Sequence, residues 1–98
     1  MPKTSYAKKS NTCKVTFVLP AQAGAGSVAL VGDFNEWSPD ATAMTRRKDG
    51  RFSTTVSLQA GRDYRYRFLV DGERWENDWQ ADAYVGNEFG SEDSVLKL

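Results

Sequence analysis

The sequence contains no histidine and a single cysteine, Cys13, among its 98 residues. Acid–base and nucleophilic catalysis most often use a histidine as the base, so its absence excludes the usual triads. Metal centres built on clusters of histidine and cysteine are excluded for the same reason. A lone cysteine cannot close an internal disulfide, and because the chain has no histidine to activate the thiol we expect Cys13 to be an inert small side chain.

The chain also lacks an excess of charge of either sign and a long apolar run. Its 13 basic and 13 acidic residues cancel, so it has no broad positive field of the kind that supports non-specific binding to nucleic acid. No run approaches the roughly 18 apolar residues of a membrane span, and none is typical of a secretory signal. We therefore expect a soluble cytoplasmic protein whose partner is neither a nucleic acid nor a membrane.

What the sequence does have is a series of short segments in which apolar and polar residues alternate. The pattern is clear in residues 14–19, 52–58 and 64–70, and turn residues such as Asp49-Gly50 and Asp71-Gly72 separate such segments. No segment has the 3.6-residue period of a helix over ten or so residues. Six or seven short strands in a chain of this length predict one all-β domain, a small antiparallel β-sandwich.

Two stretches have no such pattern. Residues 1–12 are polar and lysine-bearing, which predicts a flexible N-terminal arm followed by a sandwich domain over residues 13–98. Residues 81–90 are expected to be irregular, with a last strand after them.

The most informative residues are two of the three tryptophans. Trp37 follows a polar turn, Gly32-Asp33-Phe34-Asn35, and Trp75 lies just beyond the Asp71-Gly72 turn. A flat indole at the edge of a sheet can stack on a sugar ring or a base, although tryptophans in small domains also pack in the core. We expect core packing for Trp79. Arg67 alternates with core-facing aromatics, so its guanidinium is expected to face solvent and to donate to hydroxyl oxygens.

Carboxylates lie near both tryptophans, but the sequence does not predict an enzyme. A glycosidase needs two carboxylates that converge across a cleft, whereas a small sandwich offers shallow grooves. Turn roles account more simply for Asp49, Asp71 and Asp33. We therefore predict no catalytic residue, no metal ligand and no cofactor.

At these residues the chain resembles the glycogen-binding, isoamylase N-terminal early-set family, which includes the module on the β-subunit of AMP-activated protein kinase. The motifs that carry the resemblance are Val28–Trp37, Tyr66–Gly72 with Trp75 after it, and Asn87–Val95. The resemblance extends from about Val15 to Leu98. It implies an immunoglobulin-like sandwich that binds α-1,4-linked glucan, such as glycogen, starch or maltooligosaccharide, by tryptophan stacking and without catalysis.

By position, the resemblance assigns carbohydrate binding to Trp37, Arg67, Trp75, Phe89, Ser91 and Asp93. Trp37 and Trp75 would stack on successive glucose units, and Phe89 would be an apolar wedge with Ser91 beside it. Arg67 stands where the family often has a lysine, which keeps the charge but changes its reach and geometry. Asp93 stands where an asparagine is common, and a carboxylate accepts hydrogen bonds without donating any.

These two departures leave an alternative function open. The sandwich could be an interaction or packing domain that has lost sugar binding and docks a protein partner, such as an enzyme of glycogen metabolism.

Overall fold

The computed structural model of the chain describes residues 3–6, 11–21, 25–88 and 90–98. Within these ranges there are nine strands and one 3-10 helix, Asp33–Asn35. The strands are β1 (Lys3–Tyr6), β2 (Thr12–Leu19), β3 (Val28–Gly32), β4 (Thr45–Arg46), β5 (Phe52–Gln59), β6 (Asp63–Val70), β7 (Arg74–Glu76), β8 (Ala83–Gly86) and β9 (Glu92–Lys97). The described part of the chain holds no helix long and apolar enough to cross a membrane.

The strands form two antiparallel sheets that pack face to face, which confirms the predicted all-β sandwich. The first sheet has the order β1-β2-β5-β4, and the second has the order β3-β6-β9-β8, with β7 also paired to β6. Thr, Val and aromatic residues dominate the long strands β2, β5 and β6, as β-propensity favours.

The core lies between the sheets and uses one side chain in two from each long strand. Phe17 of β2 and Tyr66 of β6 have no exposed surface, and their rings meet edge to face with centroids 4.8 Å apart. Val15, Phe17 and Leu19 are buried, as are Tyr64, Tyr66, Phe68 and Val70, so the predicted period of two is confirmed in both strands. Cys13 is a free thiol buried in this core.

Two segments without a sequence pattern nevertheless contain strands. The prediction that residues 81–90 are irregular was wrong, because β8 lies there and pairs with β9. The predicted flexible arm, residues 1–12, likewise contains β1, which pairs with β2. Both are edge strands. A strand at an edge is held by backbone hydrogen bonds along one side only, so it can form without the alternation that marks a central strand.

Strand β6 organises the second sheet. Along one side it pairs with β3; along the other, β9 pairs with residues 63–66 and β7 pairs with residues 68–70. Arg67 therefore falls where β6 changes its partner strand. Since neighbours along a strand point to opposite faces, Arg67 lies on the outer face of this sheet, away from the core.

Candidate functional site

A cavity of about 770 Å³ opens on the outer face of the second sheet. Its walls include five of the six residues predicted to bind carbohydrate: Trp37, Arg67, Trp75, Ser91 and Asp93. The sixth, Phe89, lies outside the described residues. The remaining lining residues are Asp33, Arg65, Gly86, Asn87 and Glu88. The structure thus brings Trp37 and Asp93, which are 56 positions apart in the sequence, into one cavity.

The turn after β3 delivers Trp37 to this cavity. Gly32 begins the turn where the chain runs against β6, and a Cβ atom there would lie 2.5 Å from the carbonyl oxygen of Arg65. Asn35 then closes the turn, because its Oδ1 accepts from the Gly32 N–H at 3.0 Å while its Nδ2 donates to the Leu30 carbonyl at 2.8 Å. Phe34 packs on the core at 5.9 Å from the ring centroid of Phe17. Glycine, phenylalanine and asparagine in this motif are therefore structural.

Trp37 is presented by an unusual backbone. Both Glu36 and Trp37 have φ near 57°, in the left-handed region that costs a residue other than glycine about 1–2 kcal/mol. The indole N–H of Trp37 donates to Asp33 Oδ1 at 3.0 Å, and Asp33 Oδ2 accepts from the backbone N–H of Arg65 at 2.8 Å. The carboxylate of Asp33 thus connects the tryptophan to β6.

The β6–β7 hairpin delivers Trp75. Asp71 and Gly72 both have positive φ, as a type I′ turn requires. The Asp71 carboxylate also accepts the backbone N–H groups of Gly26 and Ser27 at 2.8 and 2.9 Å, and these hydrogen bonds lower the pKa of Asp71. They fix the hairpin to the chain that leads into β3.

Trp75 and Arg67 form a pair on the outer face. Trp75 is 43% exposed, and the guanidinium carbon of Arg67 lies 5.5 Å from its ring centroid, within range of a cation–π interaction. Arg67 Nη1 also donates to Ser91 Oγ at 3.4 Å. Its Nε is buried and has no hydrogen-bond partner in the described residues. One face of the Trp75 indole is therefore covered by the guanidinium, while the residue keeps 43% of its surface exposed.

The β8–β9 hairpin supplies the remaining wall. Its loop is closed by Asn87, whose Nδ2 lies 3.1 Å from both Ser91 Oγ and Asp93 Oδ1. The Oδ1 of Asn87 accepts from the Ser91 backbone N–H at 3.2 Å. Asp93 is only 6% exposed, so its carboxylate is held at the floor of the cavity by an amide from the same hairpin.

Comparison with known proteins matches residues 13–96 of this chain to the family described as the glycogen recognition site of AMP-activated protein kinase. The chain belongs to this glycogen-recognition family. The resemblance predicted from the three motifs is thereby confirmed, and the family is one of non-catalytic carbohydrate-binding modules.

A curated relative supports the same assignment. The 1,4-alpha-glucan branching enzyme GlgB of Aquifex aeolicus (strain VF5) is 35% identical over 71 residues, which are 69% of this chain and 11% of the enzyme. The chain therefore spans about a tenth of the length of that relative.

Within this glycogen-recognition domain, Trp79 is placed differently from the other tryptophans. The prediction that it packs over the core was wrong, because Trp79 is 84% exposed and does not line the cavity. Asp78 points inward instead, where Oδ2 accepts from the Tyr66 hydroxyl at 2.6 Å and Oδ1 accepts from the Gln80 N–H at 2.9 Å. These buried hydrogen bonds require Asp78 to face the core, and the next side chain projects outward.

Sequence reasoning missed two residues that shape the cavity. Asp33 was interpreted as a residue of its own turn, but its partners are Trp37 and the amide of Arg65. Asn87 lies in the third motif and was given no role, although it holds Ser91 and Asp93. Each of the two is a polar residue inside one of the motifs, and that position was the available signal. Their hydrogen-bond partners could not be predicted, because these depend on the register of the second sheet.

Proposed function

We propose that this chain is a non-catalytic module that binds α-1,4-linked glucan in the cavity of the second sheet. The observation that carries the proposal is the convergence of Trp37, Trp75 and Arg67 in one cavity of a member of a glycogen-recognition family. Indole faces suit the apolar faces of glucose rings, and the guanidinium supplies donors for the hydroxyl groups at the ring edge.

Each predicted residue then has a distinct role. Trp37 and Trp75 stack on glucose units, and the Arg67 side chain donates while it supports Trp75. Ser91 and Asp93 offer oxygen atoms at the floor, and Phe89 supplies the apolar wedge. The two tryptophans also border a second hollow of about 590 Å³, and we propose that a chain of several glucose units crosses from the first hollow to the second over the two indoles.

The expected affinity is modest. Stacking on an exposed aromatic side chain is worth about 1–3 kcal/mol for a nucleic-acid base, and we take a similar value for a sugar ring. Two stacked rings with a few hydrogen bonds then correspond to dissociation constants between about the micromolar and the millimolar range. Such affinity is sufficient for a polymer that presents many identical chain segments.

The first prediction concerns Trp37 and Trp75, the two tryptophan platforms on which glucose units are proposed to stack. Titration calorimetry with maltoheptaose or β-cyclodextrin is expected to show binding to the wild type and a loss of affinity of about fivefold or more for Trp37→Ala and for Trp75→Ala, the equivalent of one lost stacking contact. Trp79→Ala is the matched control, because Trp79 is a tryptophan of the same domain that lies outside the cavity. It should bind as the wild type does.

Cellooligosaccharides of equal length test the linkage, since their extended shape differs from that of an α-1,4-linked chain. They are expected to bind much more weakly. The proposal is wrong if no α-glucan binds at millimolar concentration, or if Trp79→Ala weakens binding as much as the two cavity variants do.

One observation favours a second candidate, a domain that packs against a protein partner such as an enzyme of glycogen metabolism. Trp79 is 84% exposed on the chain between β7 and β8, with Tyr84 of β8 43% exposed. Large exposed aromatic side chains are enriched at protein interfaces. This candidate would be favoured over sugar binding if no α-glucan bound and if the chain formed a stable complex with a protein partner that Trp79→Ala disrupts.

A further inference from the structure

We infer that Asp33 is a positioning residue for Trp37, and that its carboxylate sets the orientation in which the indole meets a ligand. The inference deepens the proposed function and rests on it, because it concerns the tryptophan platform of the same cavity. Asp33 is exposed, and an acidic residue in a polar turn would ordinarily be explained by local solvation or capping. Its hydrogen bonds show a different arrangement.

The two oxygen atoms of Asp33 have partners on different parts of the fold. Oδ2 accepts from the backbone N–H of Arg65 in β6 at 2.8 Å, and Oδ1 accepts from the indole N–H of Trp37 at 3.0 Å. The first bond fixes the carboxylate to a central strand of the sheet. The second therefore fixes the indole relative to that strand, and not only relative to its own turn.

Trp37 needs such a hydrogen bond because its own backbone conformation is energetically unfavourable. Glu36 and Trp37 are consecutive residues in the left-handed region, and residues held there persist only where surrounding interactions fix them. The backbone N–H of Trp37 donates to the Gly32 carbonyl oxygen at 2.9 Å. This hydrogen bond holds the main chain but leaves the side-chain torsions of Trp37 free. Asp33 constrains those torsions.

The connection also decides which part of Trp37 a ligand meets. The only donor of an indole is its N–H, and here Asp33 accepts it. A hydroxyl group in the cavity therefore does not compete for that donor without displacing the carboxylate. Recognition at Trp37 is then by the ring face, in an orientation set before the ligand arrives, which reduces the entropy lost on binding.

The test compares Asp33→Ala, Asp33→Asn and Asp82→Ala. Asparagine retains an oxygen acceptor, and alanine does not. Asp82 is the matched control, because its Oδ2 also accepts a strand N–H, that of Lys97, at 2.8 Å, while it holds no tryptophan in the cavity. Its replacement removes the same charge and the same kind of carboxylate-to-strand bond.

Two measurements are made on each variant. In the ligand-free protein, the indole N–H resonance of Trp37 is assigned by its absence in Trp37→Phe. In Asp33→Ala it should move upfield and exchange faster with water, and Asp33→Asn should lie between alanine and the wild type. The affinity for β-cyclodextrin should then fall by about threefold to tenfold in Asp33→Ala and by less in Asp33→Asn, with Asp82→Ala unchanged in both measurements.

The outcomes separate this inference from the proposed function. If the wild type binds no glucan, the proposed function fails, whereas the indole resonance still reports whether the Asp33 connection exists. An unmoved resonance in Asp33→Ala overturns the inference directly. A moved resonance with unchanged affinity also overturns it, because the connection would then have no effect on the platform.

Discussion

At the scale of single residues, the cavity is built from pairs in which one side chain lines the cavity and a second holds it in place. Asp33 holds Trp37, and Arg67 lies against Trp75. Asn87 bonds both Ser91 and Asp93. A recognition side chain fixed before binding loses less conformational entropy when a ligand arrives, so under the proposed function Asp33 and Asn87 contribute to affinity without contacting the sugar.

Asp93 leads to a prediction at this scale. Asp93→Asn keeps an oxygen that can accept from Asn87 and adds an N–H₂ group that can donate to a sugar hydroxyl. One added hydrogen bond is worth about 0.5–1.5 kcal/mol net, so the affinity for β-cyclodextrin should rise by about twofold to tenfold. Calorimetry measures it, with Glu88→Gln as the control for the change in charge, since Glu88 also lines the cavity but is exposed. Weaker binding of Asp93→Asn, or an equal gain in both variants, would contradict the prediction.

Sequence and resemblance together pointed to five of the side chains that line the cavity, because motif positions identify them directly. They gave Asp33 and Asn87 no role in holding those side chains. The amide of Arg65 reaches Asp33 only because Gly32 pairs with Tyr66 in the register of β3 and β6. Such partners follow from strand register, which no local pattern fixes.

At the scale of elements, β3 and β6 approach each other closely at Gly32, where β3 ends and the 3-10 helix begins. The Gly32 backbone is extended, with φ of −174°, so glycine is required there by space and not by conformation. The space is limited by the Arg65 carbonyl oxygen at 2.5 Å and by Tyr66 Cβ at 2.8 Å from an added Cβ. Neither atom is the end of a flexible side chain.

Gly32→Ala is therefore expected to destabilise the domain by about 1–3 kcal/mol, as overpacking of a filled interior does. In a domain of this size that corresponds to a fall in Tm of roughly 4–8 °C per kcal/mol. Calorimetric or circular-dichroism melting measures it. Gly86→Ala is the control, because an added Cβ at Gly86 meets nothing within 4 Å. Equal melting temperatures for the two variants would show that β3 and β6 separate without cost.

The strands that sequence reasoning found and missed differ in how much apolar surface they bury. The central strands β2 and β6 bury one face, and the edge strand β3 buries nearly all of its residues, so their apolar residues marked them. β1 and β8 each pair along one side, and their formation depends on the strand already present beside them. A pattern within the segment cannot report a partner outside it.

At the scale of the whole molecule, a buried polar network joins the two halves of the second sheet. Tyr66 of β6 donates to Asp78 Oδ2 at 2.6 Å, and the Asp78 N–H donates to Ser94 Oγ of β9 at 2.9 Å. Tyr84 of β8 donates to the Asp78 carbonyl at 2.5 Å. Burial, with the Asp78 carboxylate as a second cause, raises the pKa of Tyr66 well above its ordinary value.

This shift predicts a loss of stability at alkaline pH. In the unfolded chain Tyr66 ionises near pH 10, whereas in the folded protein it keeps its proton. The folded state then binds more protons, so the free energy of unfolding contributed by Tyr66 is fully present below about pH 10 and falls as the pH rises above it. Tyr66→Phe should be about 1–3 kcal/mol less stable than the wild type at neutral pH, because it leaves a buried carboxylate oxygen without this donor.

Urea unfolding across the alkaline range checks the prediction. The difference between the wild type and Tyr66→Phe should narrow above about pH 10. Tyr64→Phe serves as the control, since Tyr64 donates to a neutral carbonyl, that of Gln59, at 2.7 Å. A difference that stays constant across the alkaline range would contradict the proposed linkage.

The change of partner along β6 has a further consequence for the molecule. Trp75 belongs to β7, whereas Ser91 and Asp93 belong to the β8–β9 hairpin, and no strand pairing joins β7 to β9 among the described residues. Arg67 contacts both sides, through the Trp75 ring and Ser91 Oγ. Under the proposed function, a glucan chain in the cavity therefore contacts β7 and the β8–β9 hairpin at once, and it adds a link between two parts of the sheet that do not pair with each other.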